Sequence, residues 1–306
     1  PFYASETATV PSGYANSNRE TEDYNEKVLF LNSQLMLDFN RTFAKMHQIT
    51  GLLGVSNESY TFKANELKKK YTDPDLGIPV SETEIITSSY NTPNRTTQRS
   101  LYSVFGRAGY SYNGKYYGEF SFRYDGSSKF AENNRWGFFP SASLGWNIYR
   151  EKFMEPAADF LSNLKLRVSY GLLGNQADAG LYTFASNMSL NGGLGGYIFS
   201  DGRHIYTNPA PVIDPNTTWE KVESKNIGLD FGFFGNALTG TVDIFQRDTK
   251  DMLGPGLEFP DMFGAVAPQA NNARMRNRGW ELSLNYRGKI GNDIDYSVGG
   301  SVSDAV

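Results

Sequence analysis

The stretch from Leu101 to Leu173 decides the fold, and it reads LYSVFGRAGYSYNGKYYGEFSFRYDGSSKFAENNRWGFFPSASLGWNIYREKFMEPAADFLSNLKLRVSYGLL. Four segments in it alternate with a period of two, the spacing that places successive side chains on opposite faces of a β-strand. One face of the second segment is aromatic, with Tyr116, Phe120, Phe122 and Tyr124. The other face carries charges. The alternation therefore predicts four strands, each with an apolar and a polar face.

The same pattern continues on both sides of this stretch. It predicts strands in EKVLFLNSQLMLDF, SKNIGLDFGFF, LTGTVDIFQRDTKDML and RGWELSLNYRGKI, a weaker strand from about His47 to Thr61, and a last one beginning near Ile294. The total is roughly ten strands. Residues 1–23, 62–97, 174–221 and 254–277 are predicted to be loops, because they are polar and rich in turn-forming residues. The dipeptide Asn113-Gly114 is the strongest hairpin signal.

Short and long connections alternate along the chain, which indicates that the long loops share one end of the sheet. Outer-membrane barrels show this asymmetry, with short periplasmic turns and long extracellular loops. The strands also approach the length of about ten residues that suits an apolar band about 25 Å tall, whereas strands of globular proteins are usually 5–6 residues long. The sequence therefore favours an all-β, antiparallel transmembrane β-barrel segment. A soluble β-sandwich, with the apolar face turned inward, stays open as the alternative.

Composition narrows the class of protein. Of the 306 residues, 39 % are hydrophobic and 14 % aromatic, and we find no run of about 18 apolar residues that would predict a transmembrane helix. The net charge of −4 gives no basic footprint for nucleic acid. Cysteine is absent, which excludes disulfides and thiolate metal sites. The N-terminal PFYASETATVPSGY lacks the basic and apolar regions of a signal peptide.

Candidate sites follow from the two faces and from the loops. In a wide barrel the polar face lines a wet lumen, which predicts these lumen-facing charges: Glu119, Arg123, Asp125, Lys165, Arg167, Asp230, Asp243, Glu281 and Arg287. The loop aromatics predicted to contact a ligand or a partner are Tyr182, Phe184, Tyr197, Tyr206 and Trp219. An interfacial aromatic girdle is predicted from Tyr110, Tyr112, Tyr116, Trp146 and Tyr286.

No pattern in the chain predicts catalysis, a metal or a cofactor. His47 and His204 are the only histidines and are far apart in sequence, and no carboxylate spacing marks an acid–base pair. The GGLGG at 192–196 lacks the Lys-Ser/Thr of a phosphate-binding loop. The motif DGSSKF, residues 125–130, is interpreted either as a rim of the lumen mouth or as a structural turn that ends a strand, with the turn favoured.

Several runs in the chain resemble the SusC/RagA family of TonB-linked outer-membrane proteins of Bacteroidetes. They are RYDGSSKFAENNRWGFFPSASLGWNI, EKFME, LSNLKLRVSYGLLGNQ, WEKVESKNIGLDFGFFGNALTGTVDIFQRDTKDML and NRGWELSLNY. The resemblance covers about Gln98 to Tyr286. It implies a barrel of about 22 strands with a plug in its lumen, which imports oligosaccharides or peptides.

The resemblance also implies partners and a location. These are a SusD-like surface lipoprotein that lids the barrel, the TonB complex acting through the plug, and outer-membrane lipid. Residues 1–306 are thus expected to be a partial TonB-dependent receptor β-barrel in the cell outer membrane, without plug, TonB box or signal peptide, and not an enzyme. A passive porin-like channel and a soluble carbohydrate-binding β-sandwich are the alternative functions.

Overall fold

The computed structural model describes the backbone of residues 20–70, 84–86, 95–186, 188, 190–191, 198–199, 202–203, 206–207, 210–260, 262, 267–291 and 293–306. Side chains are described for residues 24–65, 96–186, 188, 210–260, 262, 267–291 and 293–306. The chain divides into two compact units. The first comprises Pro1–Leu31 and Glu58–Arg99, and the second comprises Asn32–Asn57 and Ser100–Val306. The candidate sites of this protein all lie in the second unit.

Ten long strands make up most of the described chain. They are β1 (Glu20–Phe43), β2 (His47–Lys70), β4 (Arg95–Tyr112), β5 (Tyr116–Ser127), β6 (Trp136–Asn147), β7 (Leu161–Asn175), β12 (Glu220–Phe233), β13 (Leu238–Gly254), β14 (Ala270–Ile290) and β15 (Ile294–Ala305). Five short strands accompany them: β3 (Glu84–Ile86), β8 (Leu190–Asn191), β9 (Ile198–Phe199), β10 (Gly202–Arg203) and β11 (Tyr206–Thr207). The predicted count of about ten strands is confirmed.

Helical structure in the described residues is limited to short 3₁₀ segments, which include Glu132–Asn134, Ile148–Arg150 and Lys152–Ala157. None of the described helices has the length and apolar character needed to cross a membrane.

The ten long strands lie in one sheet, in the order β1-β2-β4-β5-β6-β7-β12-β13-β14-β15. From β4 onward, every long strand pairs antiparallel with the next long strand along the chain. A sandwich would divide these strands between two packed sheets. The sandwich alternative is therefore wrong, and the antiparallel arrangement agrees with the predicted barrel segment.

Several strand ends differ from the prediction. Strand β1 begins at Glu20 inside the predicted N-terminal loop, β2 continues to Lys70, and β14 begins at Ala270. The extensions at the starts of β1 and β14 are largely polar on both faces, so they carry no alternation for a sequence reading to detect. The β2 extension contains Phe62, Ala64 and Leu67, but these residues do not sustain an apolar face as far as Lys70. Cross-strand hydrogen bonds with a neighbouring strand are enough to keep such segments extended.

The hairpin turn at Asn113-Gly114 is built as the sequence predicts. Asn113 and Gly114 have positive φ angles of 49° and 65°, the backbone conformation of a type I′ hairpin turn. The Lys115 N–H donates to the Tyr112 carbonyl at 2.9 Å and closes the turn. Because consecutive long strands are antiparallel, their connections alternate between the two ends of the sheet. One end has the turns at 44–46, 113–115, 234–237 and 291–293 and the longer connection at 148–160. The connections at 128–135, 176–219 and 255–269 join strands at the other end.

The buried core is small. Phe130, Phe139, Ala179 and Trp219 form it, and Leu101, Leu172 and Leu253 pack against it. The contact of Leu172 with this cluster differs from the prediction. The alternation places Leu172 on the same face as Val168 and Tyr170, and both of those side chains are exposed.

A much larger apolar surface is exposed on one face of the sheet. It includes Phe120, Leu144, Val168, Ile227, Ile244, Leu284 and Val298, and we call it the apolar face. A continuous apolar surface of this extent is not typical of a water-soluble monomer. It is the surface that the barrel prediction turns toward lipid.

Candidate functional site

The strand register places the predicted charges together on the opposite face of the sheet. Ser143 lies between Glu119 on β5 and Ser169 on β7, and Gly228 lies between Arg167 on β7 and Asp243 on β13. We call this the charged face. Among the residues that alternation and register assign to it are all nine predicted charges: Glu119, Arg123, Asp125, Lys165, Arg167, Asp230, Asp243, Glu281 and Arg287.

Three of these side chains form one hydrogen-bonded group, which we call the charged-face triad: Arg167, Asp230 and Asp243. Arg167 donates through Nε and Nη2 to the two carboxylate oxygens of Asp230 at 2.9 and 2.8 Å. Its Nη2 also lies 3.2 Å from Asp243 Oδ2. This side-on, two-bond contact fixes the plane of the guanidinium, as is typical of strong Arg–carboxylate pairs.

A glycine makes room for the triad. Gly228 pairs with Arg167 on one neighbouring strand and with Asp243 on the other. A Cβ at Gly228 would lie 2.7 Å from Arg167 Nη2 and would also collide with the Asp243 carboxylate. Asn226 Nδ2 donates to Asp243 Oδ1 at 2.9 Å and holds that carboxylate from the other side. The position therefore requires a residue without a side chain.

A second polar group lies toward the long-loop end of β5. Arg123 Nε donates to Asp125 at 2.7 and 2.8 Å, and Arg123 Nη2 donates to Ser103 Oγ at 2.8 Å. Ser103 and Asp125 are buried, but the Arg123 side chain keeps 41 % of its exposure. The guanidinium is therefore positioned by the protein and still open to a ligand.

The remaining predicted charges have fewer partners. Arg107 Nε lies 3.7 Å from Glu119 in an exposed ion pair, and Lys165 Nζ lies 4.8 Å from the centre of the Tyr117 ring. The side chains of Glu281 and Arg287 are exposed and form no hydrogen bond or ion pair with any residue in the described part of the chain. Such charges are free to interact with water or with another molecule.

A pocket of about 720 Å³ opens on the charged face beside Arg123. Its lining combines two guanidinium groups, a carboxylate, side-chain amides, hydroxyls and aromatic rings, contributed by Arg107, Arg123, Asp125, Asn175, Gln176, Ser121, Ser141, Phe105 and Phe139. A few polar groups converging on a partly apolar concavity are typical of a small-molecule site.

The DGSSKF motif fixes one wall of this pocket. Lys129 is buried, and its ammonium donates to the carbonyls of Gln176 and Ala179 at 2.8 Å and to that of Ala177 at 3.4 Å. The Ser127 hydroxyl donates to the Gln176 side chain. Lys129 and Ser127 thus tie the loop after β7 to the end of β5, which is the structural-turn role that the sequence favours.

The predicted loop aromatics fall into three situations. Tyr182 is exposed and Phe184 is half-buried. Tyr197 and the side chain of Tyr206 lie outside the described residues. Trp219 is 3 % exposed, packs 5.2 Å from Phe130 and donates from its indole N–H to the Arg135 carbonyl at 3.0 Å. In this arrangement the Trp219 ring is buried and supports the pocket wall. Among the predicted loop aromatics whose side chains the structure describes, Tyr182 is exposed and Phe184 is partly exposed.

The short-turn end carries its own polar centre. Glu151 accepts hydrogen bonds from the Tyr116 hydroxyl at 2.6 Å, the Lys115 ammonium at 3.0 Å and the Trp146 indole at 3.3 Å. These three donors, led by Tyr116, lower the pKa of Glu151 to about 2. The carboxylate therefore joins two hairpin ends and the 148–160 connection at neutral pH.

Aromatic side chains surround this end, as predicted. Tyr112 and Tyr116 stack with ring centres 6.4 Å apart, and the Tyr110 hydroxyl lies 2.8 Å from His47 Nδ1. Eight residues further along β5, Tyr124 stacks on Trp136 at 4.9 Å. At about 3.3 Å per residue the two aromatic groups are about 26 Å apart along the strand, close to the height of a membrane's apolar band.

The sequence did not predict two features of the site, which are the orientation of two phenylalanines and the role of Gln176. Phe105 and Phe139 face the charged side although they are apolar, so they interrupt the alternation on which the prediction rests. The run Phe138-Phe139-Pro140 was the available signal, because two adjacent aromatics cannot both face lipid. Gln176 carried no signal, since its role depends on Lys129 and Ser127.

No cluster of three or more His, Cys, Asp or Glu side chains suited to a metal occurs within the described ranges.

The whole chain matches a known family. Residues 2–305 match the family described as TonB dependent receptor-like, beta-barrel. The TonB-dependent receptor P39 of Formosa agariphila is 30 % identical over 286 residues, which are 92 % of this chain and 26 % of that protein. The TonB-dependent receptor SusC of Bacteroides thetaiotaomicron is 35 % identical over 204 residues, covering 66 % of this chain and 20 % of that protein.

A solved structure agrees with these matches. The RagAB peptide importer in its open-open state matches 94 % of this chain and 30 % of that chain, with a TM-score of 0.74 and 25 % identity. The chain spans about a quarter of the length of the P39 receptor and less of SusC. The resemblance to SusC/RagA proteins is confirmed: the chain belongs to the TonB-dependent receptor family and forms part of its antiparallel β-barrel in the outer membrane.

Proposed function

We propose that the receptor containing this chain imports oligosaccharides or peptides across the outer membrane. The observation that carries the proposal is the match of residues 2–305 to the receptor barrel together with a partly polar pocket on the charged face. The TonB complex would supply energy through a plug domain, as the family name implies. The chain itself contributes binding and a path and is assigned no catalytic step.

The charged face is proposed to line the lumen of the barrel. Two facts support this orientation. The opposite face exposes large apolar side chains such as Phe120 and Leu144, which are stable against lipid. The charged face instead satisfies its groups with each other, as in the charged-face triad, and leaves Glu281 and Arg287 without a described partner. Such groups require water.

The pocket beside Arg123 is proposed as a substrate contact in this lumen. Its guanidinium and carboxylate groups suit the termini and backbone of a peptide, and its amides and aromatic rings suit sugar hydroxyls and ring faces equally. The similar proteins include both SusC and the RagAB peptide importer. The proposal therefore includes both substrate classes, and uptake must separate them.

A SusD-like surface lipoprotein is the proposed partner at the long-loop end. Tyr182 and Phe184 are accessible in the loop after β7, and Tyr197 and Tyr206 belong to the same connection. Aromatic side chains supply large contact areas at protein interfaces. Trp219 would act there indirectly, by holding the base of the loop.

Uptake by cells tests the proposal. A host lacking its own importer would express the full-length receptor and its lipoprotein, and would be offered a labelled oligosaccharide and a labelled peptide of matched size, with and without TonB. We expect uptake of one of them to require TonB and to fall about tenfold in Arg123→Gln, as for loss of a charged hydrogen bond. Uptake that continues unchanged without TonB would replace active import by the passive-channel alternative.

A further inference from the structure

A groove of about 780 Å³ crosses the apolar face over β7, β12, β13 and β14. The side chains that form it on this face include Val168, Tyr170, Ile227, Ile244 and Trp280, all of them at least 42 % exposed. This groove lies on the face opposite the charged face. It is therefore distinct from the proposed substrate path, and a molecule can bind in it whether or not the receptor imports a substrate.

Cationic side chains line one end of the groove. Lys225 and Arg278 belong to its lining, beside Gln246. Lys225 Nζ lies 2.9 Å from Glu223, which also binds Lys250. By contrast, the Arg278 guanidinium is exposed and makes no hydrogen bond or ion pair with any side chain that the structure describes.

One acidic residue also lines the groove. Asp304 on β15 is directly opposite Trp280 in the strand register. Two cations against one carboxylate leave the lining with a net positive charge. The groove thus has long apolar walls and a cationic end, and that combination fits a molecule with acyl chains and an anionic head group.

The position of the cations along the strands identifies the leaflet. On β14, eight residues separate Arg278 from Tyr286 near the short turn, and on β12 eight residues separate Lys225 from Phe233. Both spans correspond to about 26 Å along the strand, close to the apolar band of about 25 Å. Because short turns are periplasmic in such barrels, the cationic end lies at the outer surface of the membrane.

We propose that this groove binds lipopolysaccharide, the phosphorylated glycolipid of the outer leaflet. One acyl chain would lie against Ile227, Ile244 and Trp280. A phosphate of the lipid A head group would accept hydrogen bonds from Arg278, whose planar fork matches phosphate oxygens, while Lys225 adds a second positive charge. The aromatic rings of Tyr170 and Trp280 lie at the level where such residues anchor barrels in the interface.

Binding of purified lipid A to the delipidated full-length receptor in detergent tests the proposal. The probes are bisphosphorylated lipid A, the same lipid with both phosphates removed, and phosphatidylglycerol, each measured by thermophoresis of the labelled receptor. The variant is Arg278→Gln. The matched control is Arg287→Gln, which removes an exposed arginine from the charged face of the same strand.

We expect Arg278→Gln to weaken binding of bisphosphorylated lipid A about tenfold, as for loss of a charged hydrogen bond, while the control keeps the native affinity. Native receptor should prefer the phosphorylated lipid to the dephosphorylated one. Equal affinity for those two lipids, equal loss in both variants, or tighter binding of phosphatidylglycerol would each overturn the assignment. Thermal melting of both variants in detergent distinguishes loss of binding from loss of fold.

Discussion

Replacing Lys129 by methionine should release the loop that follows β7. Lys129 is buried, and its ammonium donates two hydrogen bonds of 2.8 Å and one of 3.4 Å to carbonyls between Gln176 and Ala179. Methionine keeps the length and the apolar stem of the side chain but removes the donors. The loop would then keep its shape only through its own weaker contacts.

The size of the effect follows from these bonds. Hydrogen bonds to a charged group contribute about 1.5–3 kcal/mol each. Counting only the two shorter bonds at the lower value, the loop loses about 3 kcal/mol of stability against local opening. This free energy corresponds to an opening equilibrium about a hundredfold more favourable.

Hydrogen exchange of the receptor in detergent measures this opening. The amides of Ala177 and Ala179 are hydrogen-bonded in the structure, because they donate to Asn175 Oδ1 at 3.0 Å and to the Gln176 carbonyl at 3.3 Å. We expect both to exchange about a hundredfold faster in Lys129→Met. The control is Lys250→Met, which removes an exposed lysine paired with Glu223, where a surface ion pair contributes about 0–1 kcal/mol. Exchange at the two amides that stays at the native rate would refute the reasoning.

Three further predictions address the two faces and the short-turn end. Gly228→Ala should lower the free energy of unfolding in urea by about 1–3 kcal/mol, because the new Cβ displaces the charged-face triad; Gly118→Ala, whose Cβ would meet only Leu144 at 3.6 Å, should be near neutral. Glu151 has a lowered pKa of about 2, so the stabilisation that its ionised carboxylate gives the folded state is complete above pH ~4.5 and is lost as the pH falls toward 2. The difference in unfolding free energy between the native protein and Glu151→Gln should therefore be constant from pH 7 to 5 and shrink below pH 5. A difference that grows on acidification would contradict this. Phe120→Arg on the apolar face should destabilise the barrel in lipid vesicles by about 2–4 kcal/mol, whereas Ser143→Arg on the charged face should be tolerated. A larger loss of stability in Ser143→Arg than in Phe120→Arg would show that the two faces are assigned the wrong way round.

Local alternation was sufficient for the fold class. The faces of β5 could be read directly, because Tyr116, Phe120 and Tyr124 alternate with Glu119 and Arg123, and a strand has only two faces. The hairpin at Asn113-Gly114 was equally local, since the turn chemistry lies in the two residues themselves. Where both faces of a strand are polar, as at the start of β14, there was no pattern to read.

Tertiary structure alone decided which of these residues act together. No spacing in the sequence relates Lys129 to the Gln176 carbonyl, or Glu151 to Lys115, because each pair meets only after separate strands or turns are brought side by side. The same holds for the groove that ends at Arg278. Period-two alternation fixes which way a side chain faces, whereas hydrogen-bond register between strands fixes its neighbours, and register is a property of the assembled sheet.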